Sequence, residues 1–290
     1  MAVVRPVAAV TGANGYLGSR ICATLESKGW TVVRLARSPS PGDSLSRRYD
    51  LATPVDNDVL RSVDLLVHAA YDFSLTSRAH IWRVNVEGTR RLLRTACDSK
   101  VGRILVLSTM SAYAGTTQLY GQAKLAIEAE TTAAGGCVIR PGLVYGERAA
   151  GMAGALQKIT RLPIVPLVAG NSRQYPVHVE DLMTAIAKLA AAETLPAGPI
   201  GVANPTPVTF RNLLVALAAQ EGRRCHFVQV RWQLVYWALR VGEIMPIALP
   251  FRSDSLLGLV HSAPNVPGVE ELERLGVTLR AFETDPARIA

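Results

Sequence analysis

The chain has 290 residues, 49% hydrophobic and 19% charged, which excludes a disordered chain and leaves room for one core with a smaller attached lobe. Its formal charge of +8 favours an anionic partner, such as a phosphorylated cofactor or a nucleotide-linked substrate. The arginines come singly or in pairs, as at Arg47 and Arg48 or Arg90 and Arg91, and fit no nucleic-acid-binding pattern, so no nucleic-acid partner is expected.

In chain order, β-rich runs at Val7 to Val10, Thr31 to Leu35, Leu65 to His68, Ile104 to Ser108 and Cys137 to Arg140 alternate with helical patterns. Between the first two, Leu17, Ile21 and Leu25 share a helix face that closes at Gly29, a residue favoured at helix ends. Alternation of this kind requires crossover connections. The fold class is therefore α/β, a doubly wound, Rossmann-type parallel sheet with helices on both faces.

Such sheets bind ligands at the carboxyl ends of their strands. After the first run comes TGANGYLG, Thr11 to Gly18, holding Asn14, Tyr16 and Leu17 between its glycines. Gly12 permits the tight turn, Gly15 lets the backbone approach a pyrophosphate, and Gly18 allows helix to pack closely on strand. The helix N-terminus that follows offers N–H groups to phosphates, so a dinucleotide site is predicted. After the second run, an NAD-preferring site carries a carboxylate where this chain has Ala36, followed by Arg37. NADP(H) is favoured and NAD(H) is compatible; the alternative for Arg37 is a solvated loop residue.

Further on, Tyr120 precedes Lys124 by four residues and follows Thr109 by eleven. A Tyr and a Lys at this spacing share a helix face in many proteins, so the pair alone leaves surface polarity and acid–base chemistry both open. The wider pattern narrows the choice. TGANGYLG, Asp50-Leu51, VDLLVHAA, VNVEGT, LST, YGQAK, RPGLVYG, YPVHVEDL and GVANPTPVTF follow one another over about residues 1 to 210. In this the chain resembles the extended short-chain dehydrogenase/reductase superfamily, specifically the NAD(P)-dependent epimerase/dehydratase family of sugar-nucleotide enzymes.

The resemblance implies that Asp50 and Leu51 meet the adenine and that Ala69 and Ala70 line the phosphate and ribose side of the cofactor. It implies that Asn85 supports a water near the catalytic lysine through a helix kink. Tyr120 becomes the general acid/base, Lys124 its electrostatic partner and a ligand of the nicotinamide ribose, and Thr109 the hydroxyl that holds the substrate oxygen, with Ser108 or Ser111 as fallback. A phenol with a pKa near 10 needs such a neighbour to exchange protons at neutral pH. The family's longer insertion between hydroxyl and tyrosine is missing, since only ten residues separate Thr109 from Tyr120.

The same resemblance makes residues 1–150 the NAD(P)-binding domain and 151–290 mainly a small C-terminal substrate lobe, with segments around 170–210 returning to the sheet. From about Met152 prolines punctuate loops; Leu182, Ile186 and Leu189 share one helix face, and Thr209 caps a second helix. In Arg231 to Phe251, Leu234, Trp237, Ala238 and Val241 recur at helical spacing and predict a core helix, with a substrate wall or a membrane-surface face as alternatives. By resemblance Arg252 is a phosphate-binding arginine. Gln174 stands where a second arginine is usual, with Arg173 one place off, and Ser111, Tyr145 and His178 fall near a sugar.

The four cysteines have no CxxC or CxxH spacing, so neither a metal site nor a disulfide framework is expected. The first residues leave no room for a signal peptide and no stretch of about eighteen apolar residues occurs, so a cytoplasmic chain without a transmembrane segment is expected. The expected activity is that of an NADP(H)-dependent oxidoreductase or epimerase at a hydroxyl or carbonyl carbon. Its small-molecule substrate is foremost a nucleotide sugar; a reductase of another small carbonyl compound and a non-catalytic NADPH-binding relative are the alternatives. A homodimer is compatible with the sequence.

Overall fold

The structure is a computed structural model and describes residues 5–146, 151–244 and 251–283. Its centre is a seven-stranded sheet built from β1 (Val7–Thr11), β2 (Thr31–Ala36), β3 (Ser46–Arg48), β4 (Leu65–His68), β5 (Arg103–Leu107), β6 (Cys137–Pro141) and, from much later in the chain, β11 (Ile200–Val202). The spatial order is β11-β6-β5-β4-β1-β2-β3, and every neighbouring pair is parallel. Strand order reverses between β1 and β4, which opens a crevice at their carboxyl ends.

Alternate strand residues face opposite layers. Ala8, Val10, Leu65, Val67, Leu105 and Leu107 pack under α1 (Tyr16–Ser27) and α6 (Val179–Ala191), through Ile21, Leu25, Leu182, Ile186 and Leu189. Ala9, Leu66, Ile104 and Val106 face the other layer, where α3 (Glu87–Asp98) and α4 (Leu119–Ala133) bury Leu92, Leu93, Ala123 and Ile127. Strands buried on both faces read as the continuous apolar runs seen in the sequence. A four-residue helix, α2 (Arg78–Ile81), and one π-turn, Trp82–Val86, lead into α3.

Most of the remaining elements surround a second, smaller apolar cluster, the smaller lobe, while Val144 and Val177 pack into the main core. Two parallel pairs, β7 (Leu143–Tyr145) with β10 (Pro176–His178) and β8 (Val165–Leu167) with β13 (Phe227–Gln229), accompany the antiparallel pair β9 (Arg173–Gln174) with β12 (Val208–Thr209). Around them pack α5 (Gly151–Ile159), α7 (Phe210–Gln220), α8 (Trp232–Ile244) and α9 (Ser253–Val260), while α10 (Val269–Arg274) returns to the main sheet beside β11. Thr209 caps α7 through its hydroxyl, which accepts from Asn212 N at 3.2 Å, as its position predicts. Residues 245–250 of the predicted helical stretch lie outside the described residues.

The core-helix expectation for α8 is overturned. Leu234 and Trp237 are each 65% exposed and Val241 57%, and the lobe core instead receives Trp232, Val235, Tyr236 and Leu239. Both sides of this helix are apolar, so periodicity alone identifies a stripe without saying which stripe turns inward.

Candidate active site

A cleft of 1070 Å³ runs from the β1–α1 turn to α9, lined by Gly12, Asn14 to Gly18, Arg37, Asp50, Leu51, Ala69, Ala70, Thr109, Ser111, Tyr120, Lys124, Arg173 and Arg252 among others. At the switch point the backbone is crowded. A Cβ on Gly12 would stand 3.0 Å from the Cα and N of Ala70, at a φ of +67°, and one on Gly18 would stand 2.0 Å from the Gly12 carbonyl oxygen. Only glycine fits either place. Gly15, at the N-cap of α1, offers no side-chain cap and the first turn has no acid, so the N–H groups there suit a phosphate. These residues fit a dinucleotide.

Around this cradle, Asn14 Nδ2 donates to Ser38 O at 2.8 Å and ties the turn to the loop after β2. Arg37 is 72% exposed at its side chain and stands 3.7 Å from the Asp72 carboxylate, so it is tethered loosely across the cleft. Asp50 Oδ1 accepts from Ala52 N at 2.9 Å and shapes the turn beside Leu51.

One buried network fixes the switch point. The Thr11 hydroxyl accepts from Ala69 N and Ala70 N, both at 3.1 Å, and stands 2.7 Å from His68 Nδ1. On the other side His68 Nε2 lies 2.9 Å from the Thr89 hydroxyl, which donates to Asn85 O at 2.7 Å. Because the Thr89 proton is committed to that carbonyl, His68 carries its proton on Nε2 and accepts from Thr11 on Nδ1. Burial, and then the charge of Lys124, lower the His68 pKa to about 3, so the ring is neutral.

Asn85 sits in the π-turn, as its implied helix kink requires, but its amide is occupied. Oδ1 accepts from Asp72 N at 2.7 Å and Nδ2 donates to Asp72 O at 3.3 Å. The side chain thus holds the loop that carries Tyr71 and Phe73.

Helix α4 carries both Tyr120 and Lys124 into the cleft. The cap comes from the other lobe. Asp254 accepts from Leu119 N at 2.7 Å and from Tyr120 N at 3.1 Å, a contact across 134 or more residues that no local pattern announces. Burial foremost raises the pKa of Asp254. Lys124 is 4% exposed; its Nζ donates to Leu107 O at 2.7 Å and lies 4.8 Å from the Tyr71 ring centroid and 6.0 Å from that of Tyr120. Burial lowers its pKa to about 8, against the attraction of Glu128.

Burial raises the pKa of Tyr120, and the neighbouring Thr109 hydroxyl opposes that rise. Its ring meets Tyr71 edge-on at 5.0 Å and Phe73 at 5.5 Å, and Tyr71 meets Phe73 at 4.8 Å. Beneath the site, Glu128 receives the Ser108 hydroxyl and pairs with Arg140 through bonds of 2.8 and 2.6 Å. The Ser108 hydroxyl is therefore committed to this buried pair, which leaves Thr109 and Ser111 of the three candidate hydroxyls.

Two expected substrate residues stand elsewhere. Tyr145 and His178 do not line the cleft, because the parallel register of β7 and β10 sets them opposite each other. Their rings meet at 5.2 Å, Tyr145 packs on Phe282, and His178 Nδ1 accepts from Glu180 N at 3.3 Å to cap α6. Arg252 does line the cleft, but its Nη1 donates to Phe73 O at 2.8 Å and Leu75 O at 2.9 Å. Gln174 is buried and donates to Leu259 O at 2.9 Å.

The chain is 30% identical over 197 residues to the ceramide reductase of Caulobacter vibrioides, covering 64% of this chain and 61% of that one. It is 26% identical over 274 residues to a 4-hydroxy-2-methyl-3-oxo-4-farnesyl-3,4-dihydroquinoline-1-oxide ketoreductase of Stigmatella aurantiaca, covering 83% and 80%. An uncharacterized protein of Mycobacterium tuberculosis is 27% identical over 214 residues, 72% of this chain but only 23% of that longer protein. Among solved structures, MoeE5 in complex with UDP-glucose and NAD superposes with a TM-score of 0.73 at 21% identity, covering 98% and 96% of the two chains. The dTDP-glucose 4,6-dehydratase DesIV of Streptomyces venezuelae gives 0.70 at 19% identity, covering 98% and 95%. Residues 8–200 match the profile of the NAD dependent epimerase/dehydratase family, and with the glycine cradle at the switch point and the Tyr120–Lys124 pair in the cleft, the chain belongs to that family of enzymes.

Proposed function

We propose that the protein is an NADP(H)-dependent reductase of a ketone borne on a bulky apolar molecule, with Tyr120 as the proton donor. The carrying observation is the wall around Tyr120: the rings of Tyr71 and Phe73 close on it, and Arg252 gives its Nη1 to the carbonyls of the same loop. Apolar rings beside the reacting group suit an apolar substrate arm. The two relatives named above as reductases carry a ceramide and a farnesyl group in their names, which supports the same substrate class.

A nicotinamide cofactor held on Gly12 to Gly18 supplies the hydride when bound. Tyr120, kept protonated by its raised pKa, donates its hydroxyl proton to the oxygen of the carbonyl as that oxygen gains charge. Thr109 stabilises the tyrosinate left behind by donating to it, and Lys124 adds positive charge from within the same cleft. A group kept as an acid at neutral pH suits reduction.

The second reading is a nucleotide-sugar substrate, favoured by Arg173, an exposed cation lining the cleft. One experiment separates the two. Purified protein with NADPH is offered a panel of long-chain ketones while absorbance follows NADPH oxidation, and the NADPH-loaded protein is melted with UDP or dTDP. Turnover of the ketones with no shift by the nucleotides supports the apolar reading; a nucleotide-induced rise in melting temperature, without ketone turnover, reverses it.

A further inference from the structure

Helix α8 presents an unusual outer face. Leu234, Trp237 and Val241, with exposed Ala238, fall at i, i+3, i+7 and i+4 and make one apolar stripe along its length. At 100° per residue, exposed Arg231 borders one side of that stripe and exposed Arg240 the other. The helix's only acid, Glu243, is mostly turned inward, where its carboxylate accepts from Ser253 N at 2.7 Å and Ser253 Oγ at 3.0 Å, and it stands 3.6 Å from the exposed Arg240, too long a contact to hold that guanidinium. Residues 222–242 hold four arginines and no Asp or Glu, and of the two acids that flank them Glu221 stands 3.7 Å from Arg223 and Glu243 3.6 Å from Arg240.

We propose that α8 is an interfacial helix that seats the enzyme on an anionic bilayer surface. Leu234, Trp237 and Val241 enter the boundary between headgroups and acyl chains, and Arg231 and Arg240 meet lipid phosphates. An apolar stripe with a tryptophan and flanking cations is the composition that lies flat at such a boundary. Among the described residues no helix is long and apolar enough to cross a membrane, and α8 with 13 residues suits an in-plane position.

Charge selects the lipid over a second copy of the chain. A two-fold contact through this stripe would bring the arginines of both copies to one rim, where the one acid within reach among the described residues is the half-buried Glu243, 3.6 Å from the Arg240 of its own chain. An anionic headgroup layer complements the same rim. The inner side of α8 packs on the lobe that lines the cleft: Trp232 meets His261 at 5.7 Å, and His261 is a lining residue. The bound surface is thus one helix away from the cleft wall.

The test uses the full chain and vesicles of phosphatidylcholine alone or mixed with phosphatidylglycerol, with sedimentation as readout. Binding is expected on the mixed vesicles, weaker at high salt and weaker on phosphatidylcholine alone. Leu234→Gln with Trp237→Gln should reduce it by more than tenfold without lowering the melting temperature, and Arg231→Gln with Arg240→Gln by roughly tenfold on anionic vesicles only. Sedimentation velocity on the same proteins covers the other occupant. Failure of the wild-type chain to sediment with mixed vesicles, binding that survives the Leu234 and Trp237 changes, or a dimer that those changes split while vesicles capture nothing would each overturn the proposal.

Discussion

The ammonium of Lys124 donates to the carbonyl oxygen of Leu107 at 2.7 Å, which fastens the middle of α4 to the last residue of β5. The lysine is therefore placed by the sheet as well as by its helix, within reach of the Tyr71 and Tyr120 rings. Its pKa of about 8 means the charge is present at neutral pH and is lost as pH rises through about 8. An anionic cofactor gains from that charge, so NADPH affinity should fall across the same window. Lys124→Met should flatten this dependence, weaken NADPH and cost turnover roughly a hundredfold. Calorimetric titrations of NADPH at pH 7 and pH 9 check it, and an unchanged slope in the variant would remove Lys124 from the cofactor site.

Tyr120→Phe tests the proton donor. The ring packing against Tyr71 and Phe73 survives the loss of the hydroxyl, so fold and NADPH binding should remain. Turnover should drop by roughly a hundredfold or more, the range of general acid–base groups. Thr109→Val should lower it less, since it removes only the hydroxyl that eases the tyrosinate. Full activity in Tyr120→Phe returns the pair to ordinary helix polarity.

His68 makes acid stability measurable. Its folded pKa is lowered to about 3 against an ordinary value near 6.5, so below about pH 6.5 the unfolded chain takes up a proton that the folded chain refuses. Stability contributed by this group is whole above that pH and declines as pH falls toward 3. His68→Gln should lose about 1–3 kcal/mol at pH 7 by breaking the links to Thr11 and Thr89, and should show a smaller further loss between pH 7 and pH 4.5 than the wild type. Urea unfolding at the two pH values measures both.

The sequence made the sheet legible where chemistry is local. Five strands were placed to within a residue at each end, because strands buried on both faces read as apolar runs. Ser46–Arg48 escaped notice as a short polar edge strand, and Ile200–Val202 as three residues among prolines. The glycine turn and the Tyr120–Lys124 pair were legible because spacing along one element fixes their geometry. Asp254 on the N-terminus of α4, and Arg252 on the carbonyls of Phe73 and Leu75, join residues far apart in the chain, and no periodicity encodes such contacts. Tyr145 and His178 stand outside the cleft lining for a related reason: strand register, set by the fold, places them opposite each other.

Glu128 offers a check on the floor of the site. Its carboxylate is buried with Arg140 and receives the Ser108 hydroxyl, so removing its charge strands a guanidinium. Glu128→Gln should destabilise by about 3–5 kcal/mol, whereas Glu128→Leu combined with Arg140→Leu should cost much less, since a buried pair replaced by apolar groups leaves no orphaned charge. Thermal or urea unfolding of the three proteins decides; equal losses would mean that packing, not charge, sets the cost.

Substitution at Arg37 tests the proposed cofactor choice. Strand β2 ends at Ala36, where an acid would have repelled a 2′-phosphate, and the Arg37 side chain is 72% exposed at the cleft, 3.7 Å from Asp72. A contact that long between partly exposed groups is worth little, so a 2′-phosphate should displace Asp72 as the partner of the guanidinium. NADPH should accordingly bind more tightly than NADH in the unmodified protein. Arg37→Asp should erode or reverse that order, replacing attraction by repulsion, while Asp72→Asn should sharpen it by freeing the arginine. Titration of both cofactors into the three proteins reads the ratio directly, and equal affinities in the unmodified protein would show that Arg37 serves only as a solvated loop cation.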